Sequence, residues 1–232
     1  MAVTVTIERM DKGPRLILEN ADQLAILFFT RDASSVGKDP FDAHAGVGAL
    51  DSITDDDVRA INATMGARSP HEAWRPLTDA ASLDFLQALD IGVDLLAMTD
   101  HEWDIARPLV QKALSSVIGP YRNLAVATKI LHLKRPGLFP VLDSLVVDQL
   151  GGSGRDPIDM VSHVRQQGLA NIAALSAIQM QLAGLTVQNG PILRTRVRIL
   201  DGLLWTSHPR TNLSPEVLHG WERIVRPGRG DL

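Results

Sequence analysis

Apolar residues recur along this chain at two spacings, and the helical one dominates. Residues 2–8 (AVTVTIE) alternate β-branched and small side chains, and residues 15–19 (RLILE) form a short apolar run. Asp11-Lys12-Gly13-Pro14 between them is turn chemistry, so a β-hairpin is predicted. Residues 21–31 (ADQLAILFFTR) fit a helix or a third strand. Residues 32–50, rich in Gly, Ala, Ser and Asp, read as a loop. Thr54 followed by Asp55, Asp56 and Asp57 opens a helix, because Thr can cap and the acids suit the positive end of the helix dipole. That helix continues through Val58, Ile61 and Met65 and stops before Ser69-Pro70. Helical spacing returns at Leu83, Leu86, Leu89, Leu95 and Leu96, and again over residues 102–117.

The densest pattern runs from Leu114 to Leu150. Ile118-Gly119-Pro120 is a tight turn between two helices, and the second helix ends at a Lys134-Arg135-Pro136-Gly137 break. An apolar segment, Leu138-Phe139-Pro140-Val141-Leu142, then leads to a single acid, Asp143, and a helix over 144–150. Gly151–Gly154 break the chain. Met160, Val164, Ile172, Leu175, Ile178 and Leu182 place one or two helices in 157–184. Gln188-Asn189-Gly190-Pro191 is a turn, and 192–206 is a helix, or a strand at its start given the alternation through Arg194, Arg196 and Arg198. A short helix near Pro215–Val225 falls in a loose C-terminal end. The fold class is mainly α. A β-hairpin and loop region (1–50) packs on a helical body (51–206), followed by a tail (207–232).

Composition narrows the chemistry. The chain has 232 residues, enough for a substantial core, and no cysteine. Disulfides, thiolate catalysis, Cys-ligated zinc and Cys-ligated iron–sulfur clusters are excluded. No cofactor is expected. No apolar run of about 18 residues suggests a membrane span, and the N-terminus does not read as a secretory signal, so a cytoplasmic protein is the simplest expectation. The net charge of −4 is unevenly spread. Residues 1–120 carry 10 Lys and Arg against 19 Asp and Glu, and residues 121–232 carry 13 against 8. That asymmetry suits either an anionic partner for the basic half or pairing of the two halves. Gly46 and Gly48 lack the third glycine of a phosphate-cradling loop. Asp55, Asp56 and Asp57 point in different directions on a helix, which argues against a metal site.

A turn of this form exposes backbone N–H groups at a helix N-terminus, where they can bind a phosphate oxygen. Arg122, Lys129, Lys134 and Arg135 are close enough in sequence to reinforce it. Asp143, behind its apolar lead-in, is placed to serve as a base or to stabilise a cation; the alternative is a helix N-cap. Lys129 is otherwise a solvated helix lysine or a partner of Asp143. His132 reads as a structural histidine or a phosphate contact. Arg194, Arg196 and Arg198 read as a solvated face or as phosphate contacts. Trp74, Trp103, Trp205 and Trp221 fit the core better than a stacking platform, which leaves Tyr121 as the obvious stacking candidate.

Phe139-Pro140-Val141-Leu142-Asp143-Ser144-Leu145-Val146 resembles the Pro-Val/Ile-x-Asp segment of the helix-hairpin-helix DNA glycosylase superfamily, which includes the 8-oxoguanine DNA glycosylases. Val117-Ile118-Gly119-Pro120-Tyr121 is similar to the superfamily's hairpin turn, with its first glycine replaced. Ala127–Pro136, with Pro140 and Asp143-Ser144, is also similar to an uncharacterised bacterial family frequent in actinobacteria. The resemblance covers about 35 residues. It implies a two-lobed fold and a monomer that binds duplex DNA, flips a base out and hydrolyses its N-glycosidic bond. Asp143 would stabilise the oxocarbenium-like sugar. With Gly119 in register, Tyr121 or Arg122 takes the position of the superfamily's nucleophilic lysine, which implies a monofunctional enzyme. A second register makes Lys129 the nucleophile. Ile118, Gly119, Arg122, His132, Lys134, Arg135, Arg194 and Arg196 would contact DNA. The acidic N-terminal half and the lack of cysteine depart from housekeeping repair enzymes and suggest modified phage DNA as substrate, in antiviral defence. The alternatives are a non-catalytic DNA-binding protein on the same scaffold, or a protein-interaction domain in which Asp143 only caps a helix.

Overall fold

The computed structural model describes residues 2–33, 41–65, 69–187 and 190–211. The expected short helix near 215–225 and Trp221 lie outside the described residues. The N-terminal hairpin forms from β1 (Val5–Ile7) and β2 (Leu16–Leu18), antiparallel with Val5 opposite Leu18. Its polar edge is tied to the helices: Thr6 N donates to Asn171 Oδ1, Glu8 N to Gln167 Oε1 and Met10 N to Leu150 O. Residues 21–31 resolve as helix, within α1 (Ala21–Ala33).

Thr54 caps α2 (Asp55–Thr64) through a reciprocal box with Asp57, the local signal read from the sequence. The leucine-rich stretch after it behaves differently. It yields only two one-turn helices, α3 (Arg75–Thr78) and α4 (Asp84–Gln87). Leu83, Leu86, Leu89, Leu95 and Leu96 are all buried. The chain between them is turned by side chains: Asp90 Oδ1 accepts from Gly92 N and Asp94 Oδ1 from Leu96 N. These local bonds compete with helix propagation.

The remaining helices are α5 (Asp100–Val117), α6 (Leu124–Lys134), α7 (Ser144–Gln149), α8 (Pro157–Ala170), α9 (Ile172–Ala183) and α10 (Arg196–Thr206). β3 (Thr186–Val187) and β4 (Gly190–Pro191) pair around residues 188 and 189, which are outside the described residues. The stretch 192–206 resolves as helix from Arg196 only, where Thr195 caps by accepting from Arg198 N. The molecule is thus mainly helical with small antiparallel pairings. No helix among the described residues is long and apolar enough to cross a membrane.

Two helices organise the core. α6 is buried at every position from Val126 to Lys134 and packs against α2 and α5. α10 is buried over most of its length and packs against α1, α7, α8 and α9. A helix buried all round must find partners for its own polar side chains inside the protein, and the basic residues of α6 and α10 do so.

Candidate functional site: the α5–α6 turn and Asp143

α5 ends where Ile118 turns extended (φ −64°, ψ 132°). Gly119 and Arg122 then bond each other in both directions, N to O at 3.0 and 2.9 Å. The Gly119 amide is therefore occupied, which corrects the expectation that it faces a phosphate. The open donors of the turn are those of the first turn of α6, where Asn123 Oδ1 already accepts from Val126 N. Arg122, also expected to meet DNA, is folded inward. Its Nε donates to Val117 O at 2.7 Å, its Nη1 to Ala73 O, and its guanidinium lies over Trp74 at 5.6 Å. Burial pushes its pKa below the ordinary value. A Cβ on Gly119 would stand 2.8 Å from Arg122 Nη2, so this glycine makes room for the brace.

A second brace runs from inside. Trp74 Nε1 donates to Ser69 Oγ at 3.0 Å, and Ser69 Oγ donates to Tyr121 O at 3.1 Å. Tyr121 itself has φ 63° and is 77 % exposed. Ile118 is half-buried and packs on the core.

The Asp143 lead-in bridges the two central helices. Leu142 N donates to Thr128 Oγ1 of α6 at 3.0 Å, and Val141 N donates to Asp201 Oδ2 of α10 at 2.8 Å. Asp143 emerges half-buried and caps α7, its Oδ1 accepting from Leu145 N and Val146 N, both at 3.0 Å. Its Oδ2 accepts no hydrogen bond from the described residues. Lys129 is buried on the same helix as Thr128, and its Nζ donates to Met65 O at 3.1 Å. Burial lowers its pKa, while the Asp143 carboxylate works in the opposite direction. The ammonium and the carboxylate thus share one electrostatic neighbourhood.

The other expected DNA contacts are interior groups. Lys134 is buried against Asp57, 2.5 Å away, and also donates to Ala49 O. Arg135, 1 % exposed, donates to the carbonyls of Leu50, Leu86 and Leu89 and pairs with Asp51. His132 is buried, bonded to Phe139 O at 2.7 Å and stacked on Phe41. Arg196 pairs with Asp94 at 2.5 Å. Arg194 Nε lies 3.2 Å from Asp42 Oδ2, in ion-pair range but off the hydrogen-bond direction, with its guanidinium over Phe29. Arg198 is buried between Asp42, at 2.8 Å, and Asp201. None of these side chains is free for a phosphate. Trp74 and Trp103 are buried and Trp205 packs partly on the core.

Sequence reasoning misses the cations that are exposed on the segments flanking the turn. Arg75 follows the tryptophan that supports Arg122. Lys112 lies on the last turns of α5, and Arg155 follows Gly154, which packs near Leu124 at the start of α6. Glu72 and Asp156 are exposed beside them. Isolated charges in acidic company give no sequence signal. No group of three His, Asp or Glu residues placed to hold a metal occurs among the described residues.

Taken together these features define a mainly helical protein with a doubly braced interhelical turn and a capped carboxylate behind it. A model of the family of unknown function DUF6308 matches residues 21–208, and the chain belongs to that family. No curated protein and no solved structure matches the chain.

Proposed function

We propose that this protein is a DNA glycosylase of the helix-hairpin-helix type. In this reading α5, the turn and α6 are the hairpin unit, and the enzyme works as a monomer in the cytoplasm. It flips a damaged or modified base out of a duplex and hydrolyses its N-glycosidic bond. The observation that carries the reading is Asp143. Its lead-in is clamped to α6 at Thr128 and to α10 at Asp201, one oxygen is fixed by two helix amides, and the other accepts no hydrogen bond from the described residues. A carboxylate so held can stabilise positive charge developing on the sugar at little reorganisation cost. As the C1′–N bond breaks, its electron pair leaves with the base. Water adds to C1′ and gives up its proton, with Asp143 as acceptor. Lys129, desolvated and near Asp143, is the candidate for the alternative Schiff-base route. Arg75, Lys112 and Arg155, rather than the interior cations, would meet phosphates. Modified phage DNA, as in antiviral defence, is the substrate class we favour.

The test is formation of alkali-labile sites in duplexes and single strands carrying deaminated, oxidised, alkylated or hypermodified bases. Asp143→Asn should slow base release by about 10²–10⁴-fold while DNA binding and thermal stability persist, because Asn also caps helices. Full excision by the Asn variant would refute the mechanism. Strand cleavage without alkali would move the chemistry to Lys129. The N-cap bonds of Asp143 also fit a non-catalytic DNA-binding protein, which would bind DNA and release no base. A protein-interaction domain would show no DNA affinity even at low salt.

A further inference from the structure

We propose that Tyr121 is a base-stacking contact, presenting its ring to an unpaired base of a DNA duplex held across the α5–α6 turn. This rests on the DNA reading above.

Tyr121 is the only tyrosine in the chain. At 77 % exposure it is the most exposed large apolar side chain among the described residues. Its backbone sits at φ 63°, in the left-handed region that a side chain of this size avoids. Lys12 and Asn20 share that conformation, at 57° and 55°, but neither is an aromatic. Glycine or asparagine would occupy position 121 with less strain, so the turn does not require the ring. The ring is mostly in solvent, so it gives the core little in exchange. An unfavourable conformation without a packing return points to a role outside the fold.

The frame around the ring is rigid. Ser69 holds the Tyr121 carbonyl, Trp74 holds Ser69, and the reciprocal Gly119–Arg122 bonds close the turn on either side. A ring carried on a fixed backbone loses little freedom on binding. The charges on the flanking segments are mixed: Arg75, Lys112 and Arg155 are exposed, and so are Glu72 and Asp156. With limited phosphate attraction, stacking is a natural further source of affinity. It tolerates any sequence, because every base offers a π-face. A base left unpaired beside a flipped-out nucleotide is the partner such a ring fits.

The full-length protein would be titrated with two duplexes, one fully paired and one carrying a single unpaired 2-aminopurine. Wild type should bind the second roughly 10-fold more tightly and quench the 2-aminopurine fluorescence, as a stacked ring does. Tyr121→Asn should lose both the preference and the quenching, with a melting temperature equal to wild type or higher. Tyr121→Phe should retain both. If Tyr121→Asn keeps the preference and the quenching, the stacking assignment is overturned and the DNA reading stands. If wild type binds neither duplex at low salt, the DNA reading fails and this assignment falls with it.

Discussion

Arg135 illustrates how the basic side chains of the α6 region are used. Its fork reaches four carbonyls and Asp51 from a position 1 % exposed. Lysine cannot reproduce that planar geometry. Arg135→Lys should therefore lower the unfolding free energy by about 2–4 kcal/mol, measured by urea denaturation. A loss below about 0.5 kcal/mol would contradict the assigned role. In the sequence, Lys129, His132, Lys134 and Arg135 look like a basic face waiting for phosphate. They are interior because α6 is enclosed on all sides, and enclosure depends on residues distant in sequence, such as Asp57, Asp42 and Leu89. The legible features are local: Asp143 as the residue opening a helix, Thr54 as a cap, and a turn at Gly119. Which cations remain exposed depends on partners that no spacing reveals.

At the scale of elements, the turn acts as a unit. Gly119 is needed for the space it leaves to Arg122, and Arg122 is needed to join Val117 O to Ala73 O. Gly119→Ala should cost about 1 kcal/mol by pushing the guanidinium off Trp74. Because both substitutions break the same brace, Gly119→Ala combined with Arg122→Ala should cost about as much as Arg122→Ala alone. Simple additivity in a double-mutant cycle would show that the two act separately. The helices readable from sequence are those with strong local caps or long periodic faces. The segment 71–100 has helical spacing without a long helix, because its leucines are spaced by burial while Asp90 and Asp94 turn the backbone with their own side chains. Between strand and helix at 192–195, Thr195 decides: its hydroxyl caps α10 and sets its start.

At the scale of the whole molecule, a buried ionic cluster joins segments far apart in the chain. Burial opposes ionisation of Asp42, but Arg198, His132 and Arg194 outweigh it and hold its pKa well below the usual carboxylate range. For Asp201 burial prevails over Arg198, and the pKa is pushed up to about 6. The two act with opposite sign. The stability from Asp42 is present above the unfolded value of about 4 and is lost as the pH falls below it. The contribution of Asp201 is fully present below about 4 and is lost as the pH rises through about 6. Melting temperatures from pH 3 to 8 should show a decline between about 4 and 6 that disappears in Asp201→Asn, while the acid-side loss persists. Parallel profiles in that window would refute the raised value.

The clamp on the Asp143 lead-in also sets an order of assembly. Val141 is held by Asp201, and Asp201 is fixed by Arg198, which closes on Asp42 across 156 positions of chain. During synthesis α6 and the lead-in leave the ribosome well before α10, so Asp143 can cap its helix and its lead-in can reach Thr128 early, but the clamp to Asp201 must wait. A chain arrested before residue 201 would carry the carboxylate without its anchor to α10. The α10 half of the clamp on Asp143 thus forms only once Asp201 has been synthesised and has reached Val141.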